Sequence, residues 1–282
     1  AQLGFSVSGE DDAMTDGMRR QLEKEKIVLT PSGEVPETCD LVVCSSAISQ
    51  KHPARAAAAE RGLALVRRGE LLAEVARGKK LVAVCGSHGK TTTTAMIITA
   101  VRRAGFPAGY VLGGLFADET VAPARIGSND WVVAEIDESD GTIDRFSPEI
   151  TVAVNLDWDH PDHYPHIEDI EDTFVALFGR TRQAVLLSDS CALSARAAAK
   201  LKPSSPVLTF GRGGDFSAVV VSEENGAMKL KLGGRFPVSD ADVRAQGAFN
   251  AANAAAALAA SHLMGVRLAD GLVRLRAPVT RA

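Results

Sequence analysis

Leu81-Val82-Ala83-Val84-Cys85 is an unbroken apolar run, followed at once by Gly86-Ser87-His88-Gly89-Lys90 and then by Thr91 to Thr94. A run of this kind reads as a strand covered on both faces, which calls for a mostly parallel sheet flanked by helices. The glycines then turn the chain into a helix, expected from about Lys90 to Ala104. Free backbone N–H groups and the positive helix end converge at such a turn, where a phosphate chain can lie. In that setting Lys90 reaches the β and γ phosphates of a nucleotide and the Thr91 hydroxyl ligates Mg²⁺. Val84 occupies the place of the first glycine in the general G-x-x-x-x-G-K-[ST] pattern, so half of the motif is standard. The competing interpretation is a Gly-Lys-Thr triplet at an ordinary helix start. The strand before it and the helix after it favour the phosphate loop.

The same α/β rhythm runs through the chain. FSVSG, a helix near Ala13 to Lys24, LVVCSSAI, a helix around Ala54 to Arg61, and LALV make a small α/β unit over residues 1–78. The pattern resets at Gly78-Lys79-Lys80 and opens a larger domain over residues 79–276. Its further strand candidates are WVVAEI, ITVAVN, AVLLS and SPVLTF, with helices near Ile167 to Phe178 and Cys191 to Lys200. In SAVVVSEENGAMKLKLGG two alternating runs meet at Asn225-Gly226. Both of those residues tolerate positive φ, which predicts a type I′ hairpin added antiparallel at the sheet edge. An alanine-rich helix from Phe249 to Met264 and a short last helix near Leu268 to Leu275 complete the pattern.

Composition narrows the function classes. Hydrophobic residues make up 46% and charged residues 23% of the chain, the balance of an ordinary globular protein. The formal net charge of -4, without a lysine or arginine run, gives no electrostatic reason to bind nucleic acid or an anionic membrane. No apolar run reaches the roughly 18 residues of a membrane span, and no secretory signal pattern opens the chain, so a cytoplasmic address is expected. Cys39, Cys44, Cys85 and Cys191 form no C-x-x-C pair and read as reduced, buried small hydrophobes.

Two more strand ends carry chemistry. WVVAE closes on Glu135 and runs into Ile136-Asp137-Glu138-Ser139-Asp140-Gly141. In a phosphate-loop protein an acidic residue at this place holds Mg²⁺ directly or through water, whereas in isolation the same residues make a solvated acidic turn. ITVAV closes on Asn155 and leads to Asp159-His160-Pro161-Asp162-His163-Tyr164. His160, His163 and His166 recur at intervals of three, but Pro161 and Pro165 prevent one helix from presenting them together and no cysteine is near. That argues against zinc.

The combination G-S-H-G-K-T-T-T-T, E-x-D-E-S-D-G and N-x-x-x-D-H resembles the Mur ligase family, especially its alanine-adding and tripeptide-adding branches. Gln246-Gly247-Ala248-Phe249-Asn250-Ala251-Ala252-Asn253-Ala254 is similar to the family's G-x-H-N-x-x-N-A segment, with Phe249 in place of the usual histidine. The resemblance implies ATP and Mg²⁺ as cofactors, with Thr91, Glu135 and His160 on the metal. It implies that Gly86, Ser87, His88, Gly89, Lys90, Thr91, Thr92, Asn250 and Asn253 hold the nucleotide, and that Lys90, His88, Glu135 and His160 carry catalysis. His88 has two readings, beside the reacting carboxylate or bonded to backbone. Asp11, Ser45, Ser46, Arg68 and Asn155 are implied on the sugar-nucleotide side.

As a fold, the resemblance implies a small Rossmann-like N-terminal domain and a P-loop central domain. A glycine-rich loop is expected ahead of AQLGF, and a C-terminal Rossmann-like domain beyond residues 277–282, which match its hinge. This stretch by itself is therefore expected not to turn over. The implied reaction joins L-alanine, or alternatively a murein tripeptide, to the carboxylate of UDP-N-acetylmuramate. It proceeds by attack on the γ phosphate of ATP to give an acyl phosphate, which the amine then opens. Several Mur ligases place a carbamoylated lysine after the D-H motif to bridge their metals; no lysine occurs here between Lys90 and Lys200, and the resemblance is therefore to the two named branches, which lack that group. A kinase without amide formation and a catalytically silent UDP-sugar-binding module are the rival classes. A monomer or homodimer is expected.

Overall fold

A computed structural model of the chain describes residues 1–158, 164–201, 205–269 and 274–276. Their contacts divide into two units, one of Ala1–Arg77 with Asp118–Ala122, the other of Gly78–Ala117 with the chain from Pro123 onward.

The first unit is built of short pieces. β1 (Ser8–Gly9) pairs in parallel with β2 (Val28–Leu29), and β3 (Leu41–Cys44) pairs in parallel with β4 (Ala64–Arg67). Three helices connect them: α1 (Asp16–Lys24), α2 (Pro53–Glu60) and α3 (Arg68–Ala76). α1 starts where the Thr15 hydroxyl accepts the Met18 N–H, and Asp16 and Lys24 sit at the ends whose dipole they complement. Pro53 opens α2, where its missing N–H costs nothing. Glu119, in the returning segment, takes Arg20 at 2.6 Å and offers its carbonyl to Gln21. The Arg20 guanidinium holds the Glu119 carboxyl below its usual range.

The second unit is organised around β5 (Lys80–Cys85), whose residues from Leu81 on are buried. It continues through α4 (Lys90–Arg103), β6 (Gly109–Val111), β7 (Ala124–Arg125), β8 (Trp131–Glu135), β9 (Ile150–Ala153) and α5 (Ile167–Arg180). Then come β10 (Ala184–Ser188), α6 (Ala192–Lys200), β11 (Val207–Gly211), β12 (Phe216–Glu224), β13 (Ala227–Gly234), β14 (Asp240–Arg244), α7 (Ala248–Leu263) and β15 (Arg274–Arg276). The described strands form one sheet in the order β15-β14-β13-β12-β11-β10-β9-β5-β8-β6-β7. From β12 to β6 all neighbours are parallel. β5 and β10 are buried along nearly all their length, which explains why they lack the polar alternation of a half-exposed strand.

The hairpin forms as expected. β12 and β13 are antiparallel and joined by Asn225 at φ 50° and Gly226 at φ 75°, the double positive φ of a type I′ turn. It is not the sheet edge, because β14 adds antiparallel to β13 and β15 adds parallel to β14. At Arg274–Arg276 that last pairing corrects the helix expected over Leu268 to Leu275, of which residues 270–273 lie outside the described residues. Leu275 lies opposite Val243 and is 1% exposed, so a free strand edge captured a segment too short to hold a helix alone. Arg68 opens helix α3, which starts with the Glu70 carboxylate accepting the Arg67 N–H at 3.0 Å. Among the cysteines only Cys85 is fully buried; Cys39, Cys44 and Cys191 are half-buried. No described helix is long and apolar enough to cross a membrane.

α7 packs on α4, and its run Ala254 to Ala260 is buried without exception. Small side chains let the two helix backbones approach, and they hold α4, and with it the loop before it, against the sheet. Ala256→Leu is expected to lower the stability of this unit by about 1–3 kcal/mol through overpacking. Urea denaturation followed by far-UV circular dichroism measures it, and an unchanged midpoint would show that the contact is not tight.

Candidate active site

The turn between β5 and α4 depends on two glycines. Gly86 has φ 119° and Gly89 φ 85°, backbone conformations that side chains disfavour. Space is as restrictive as conformation, since a Cβ at Gly86 would strike the Asn155 carbonyl oxygen and one at Gly89 would meet Asn253 Oδ1 at 3.0 Å. The loop is also laced to the segment after β9. Ser87 N donates to the Asn155 carbonyl at 3.2 Å, and the Asn155 carboxamide spans His88, accepting its N–H and donating to its C=O at 2.8 Å each. Ser87 Oγ accepts the Asp157 N–H at 2.9 Å.

Register brings the chemistry to one edge. Val84 of β5 lies opposite Glu135 of β8, and Cys85 opposite Ala153 of β9, so the loop, Glu135 and Asn155 all stand at the carboxyl ends of adjacent parallel strands. Thr91 Oγ1 donates to Glu135 Oε2 at 2.8 Å, and the Gly113 N–H donates to Glu135 Oε1. A Cβ at Gly113 would overlap that carboxylate. Lys90 Nζ lies 3.1 and 3.3 Å from the two carboxylate oxygens of Glu138 and 2.7 Å from the Gly86 carbonyl. The Glu138 side chain is 1% exposed, so its charge is compensated by Lys90 where water is excluded. The Tyr164 phenol donates to the Glu138 carbonyl, and burial pushes its pKa up to about 12, keeping it a neutral donor. Burial likewise raises the Cys85 thiol, which stays protonated beneath the loop.

Gly89 caps α4 with no side-chain hydrogen bond, leaving first-turn N–H groups and the positive dipole end for an anion. Thr91 and Glu135 are hard oxygen donors in contact. Among the described residues no three His, Cys, Asp or Glu side chains cluster as a metal site. That donor set fits Mg²⁺, which takes one or two protein oxygens and fills the rest of its shell with phosphate and water.

The remaining expected residues fall as follows. Thr92 lies in the first turn of α4, half-buried. Asn253, 8% exposed, faces Gly89, while Asn250 turns its amide to the Gln246 carbonyl at 2.8 Å. Phe249 is 88% exposed. His160 lies outside the described residues. In the first unit Asp11 accepts the Ala13 N–H at 2.8 Å and lines a cavity with Glu10, Asp12, Arg19 and Thr30. Ser45 accepts the Ala47 N–H at 3.3 Å, Ser46 is exposed just past β3, and Arg68 is exposed at the start of α3. Glu138, Gly113 and Tyr164 were not singled out from the sequence. A glycine pair after GYVL and a second glutamate three places past Glu135 were the available signals.

The Mur ligase middle domain matches residues 84–261, and the Mur ligase family catalytic domain matches residues 1–80. The chain belongs to the Mur ligase family. UDP-N-acetylmuramate--L-alanine ligase of Methylobacterium nodulans is 34% identical to this Mur ligase chain over 277 residues, 94% of the chain and 58% of that protein. The protein of the same name from Bradyrhizobium sp. is 32% identical over 94% of the chain and 59% of its own length. The chain thus spans somewhat under three fifths of the length of these relatives. In structure it resembles UDP-N-acetylmuramate-alanine ligase from Thermotoga maritima, with TM-score 0.82 at 23% identity over 96% of this chain and 62% of that one. It also resembles UDP-N-acetylmuramate:L-alanyl-gamma-D-glutamyl-meso-diaminopimelate ligase from Neisseria meningitides, with TM-score 0.77 at 24% identity over 94% and 88%. These two likenesses establish the Mur ligase fold.

Asn155→Ala is expected to free the His88 amide while leaving the sheet intact. Losing one internal hydrogen bond corresponds to about 3- to 10-fold faster exchange at His88. Hydrogen–deuterium exchange resolved to single residues measures it, and unaltered protection would mean that the carboxamide does not brace the loop.

Proposed function

We propose that this chain is the sugar-nucleotide-binding and ATP-binding portion of a ligase that joins L-alanine to the carboxylate of UDP-N-acetylmuramate. The observation that carries the reading is the Thr91 hydroxyl resting on the Glu135 carboxylate beside Lys90, at a helix start left open for an anion. The choice of acceptor and amine is supported by the names of the relatives aligned along 94% of the chain.

In this reading the loop N–H groups and Lys90 receive the phosphate chain of ATP, and Asn253 and Asn250 flank the nucleotide from α7. Thr91 and Glu135 hold Mg²⁺, with His160 as the third expected ligand. The metal, when bound, neutralises phosphate charge and polarises the γ-phosphoryl group. The substrate carboxylate then attacks the γ phosphorus with departure of ADP, and the alanine amine displaces phosphate from the resulting acyl phosphate. Catalysis by this chain is placement and charge neutralisation: the braced loop fixes the phosphates, and Lys90 balances charge on the transferring group. Asp11, Ser45, Ser46 and Arg68 serve the sugar nucleotide, and Asn155 acts through the loop it clamps. A cytoplasmic location goes with ATP as co-substrate.

Isothermal calorimetry with Mg·ATP tests the site in the chain at hand. Lys90→Ala is expected to weaken binding by at least about tenfold, the loss of one charge-assisted contact, and also to lower the melting temperature because it strands the buried Glu138 carboxylate, so binding is measured well below that temperature. Binding that survives intact refutes the phosphate-loop assignment. For the acceptor, phosphate release is followed with UDP-N-acetylmuramate and alanine, glycine, serine or murein tripeptide, using the chain extended to the length of its relatives. Alanine dependence supports the reading. Tripeptide dependence moves it to the tripeptide-adding branch, and a stable phosphorylated product without any amine requirement makes the protein a kinase.

Gly113→Ala separates the metal from the phosphate loop. Its backbone lies outside the positive-φ region, so the added methyl acts only by pressing on Glu135. The gain in ATP affinity on adding Mg²⁺ is expected to shrink, while metal-free nucleotide binding stays as it was. An unchanged Mg²⁺ effect would remove Glu135 from the metal site.

A further inference from the structure

An ammonium group has three N–H donors. In this structure Lys90 Nζ has three acceptors within reach: both carboxylate oxygens of Glu138, at 3.1 and 3.3 Å, and the Gly86 carbonyl at 2.7 Å. One N–H is directed to the Gly86 carbonyl, and the two oxygens of the single Glu138 carboxylate share the ammonium's other close contact. An incoming phosphate therefore competes with the Glu138 carboxylate for the same positive charge.

Glu138 is poorly able to follow the lysine elsewhere. Its carboxylate is buried and its carbonyl is held by the Tyr164 phenol. The residues around it are locked by short local bonds, with Ser139 N on Asp137 Oδ1 at 2.9 Å and Thr142 N on Asp140 Oδ1 at 2.8 Å. The pair is thus one mobile partner, the lysine chain, and one fixed partner, the carboxylate.

We infer that Glu138 is a positioning residue that holds Lys90 in an ion-paired resting state, so that nucleotide binding is an exchange in which phosphate takes over the ammonium's charge from the carboxylate. This deepens the phosphate-loop reading and rests on it. Two consequences follow from the charge and the direction of this pair. The Glu138 carboxylate opposes the incoming phosphates and occupies the cation they need, so it lowers nucleotide affinity. It also fixes the ammonium's direction, so that the lysine that is released is already aimed along the loop.

The test uses the 282-residue chain and two isosteric or near-isosteric variants. Glu138→Gln keeps the shape, removes the charge and frees at least one Lys90 N–H; Glu138→Asp keeps the charge but shortens its reach. Calorimetry with Mg·ATP and Mg·ADP is expected to give about 3- to 10-fold tighter binding for Glu138→Gln, with Glu138→Asp in between. A nucleotide-independent readout accompanies it: acylation of Lys90 by an N-hydroxysuccinimide ester, quantified by mass spectrometry, with thermal melting as the check on folding. Labelling is expected to rise severalfold in Glu138→Gln and to be suppressed again by Mg·ATP.

Binding that is unchanged or weaker in a folded Glu138→Gln variant, while the parent chain binds ATP, overturns the exchange and leaves the nucleotide site standing. No ATP binding by any form overturns the nucleotide site, and unchanged Lys90 labelling in that case removes the lysine constraint as well. A structural role alone would lower the melting temperature without tightening binding or raising the label.

Discussion

The packing of β5 between β8 and β9, with both its faces buried, is the constraint from which the rest of the site follows. Three parallel strands in register end at one edge, and whatever follows each strand is delivered to the same small volume. The glycine turn, the Glu135 carboxylate and Asn155 have no choice but to meet there. Burial of the strands therefore sets the separation of groups that are 20 to 70 residues apart in the chain, and it does so with the stiffness of a close-packed interior. α7 adds the opposite wall. Its alanines allow α4 to lie close, and Asn253 comes to rest against Gly89.

Around that frame the polar groups are paired in two neighbouring sets. Thr91 with Glu135 joins a hydroxyl to a carboxylate, an oxygen pair suited to a hard cation. Lys90 with Glu138 joins opposite charges, one buried and one partly exposed. The difference in burial matters, because the deeper group is the acid. A carboxylate left alone in that position would cost several kcal/mol, so the lysine stabilises the fold.

Much of this was legible in the residues. The apolar runs located the buried strands, Asn225-Gly226 located the hairpin turn, and Gly86 to Thr91 announced the loop, because each of these is a local preference of backbone or burial. Glu135 could be paired with the loop because both close apolar strands. Glu138 could not be distinguished from Asp137 and Asp140 beside it. All three are acids in one turn, and only the folded chain shows that Asp137 and Asp140 accept from neighbouring serine and threonine while Glu138 turns inward to Lys90. Gly113 carried no visible partner, since its contact with Glu135 spans two strands. The segment Leu268 to Leu275 was misleading for the converse reason: its composition suits a helix, yet the pairing partner that decided its fate at Arg274–Arg276 was the edge of β14.

Sequence alone determined the fold class, the position of the glycine turn and the family, because strand burial, glycine conformation and motif spacing are written in short stretches of chain. Tertiary structure alone decided which acid neutralises Lys90, which backbone N–H steadies Glu135, and that Asn155 braces His88. Those choices depend on distances across strands and loops. Such distances are set by sheet order and register, which no single stretch of residues contains.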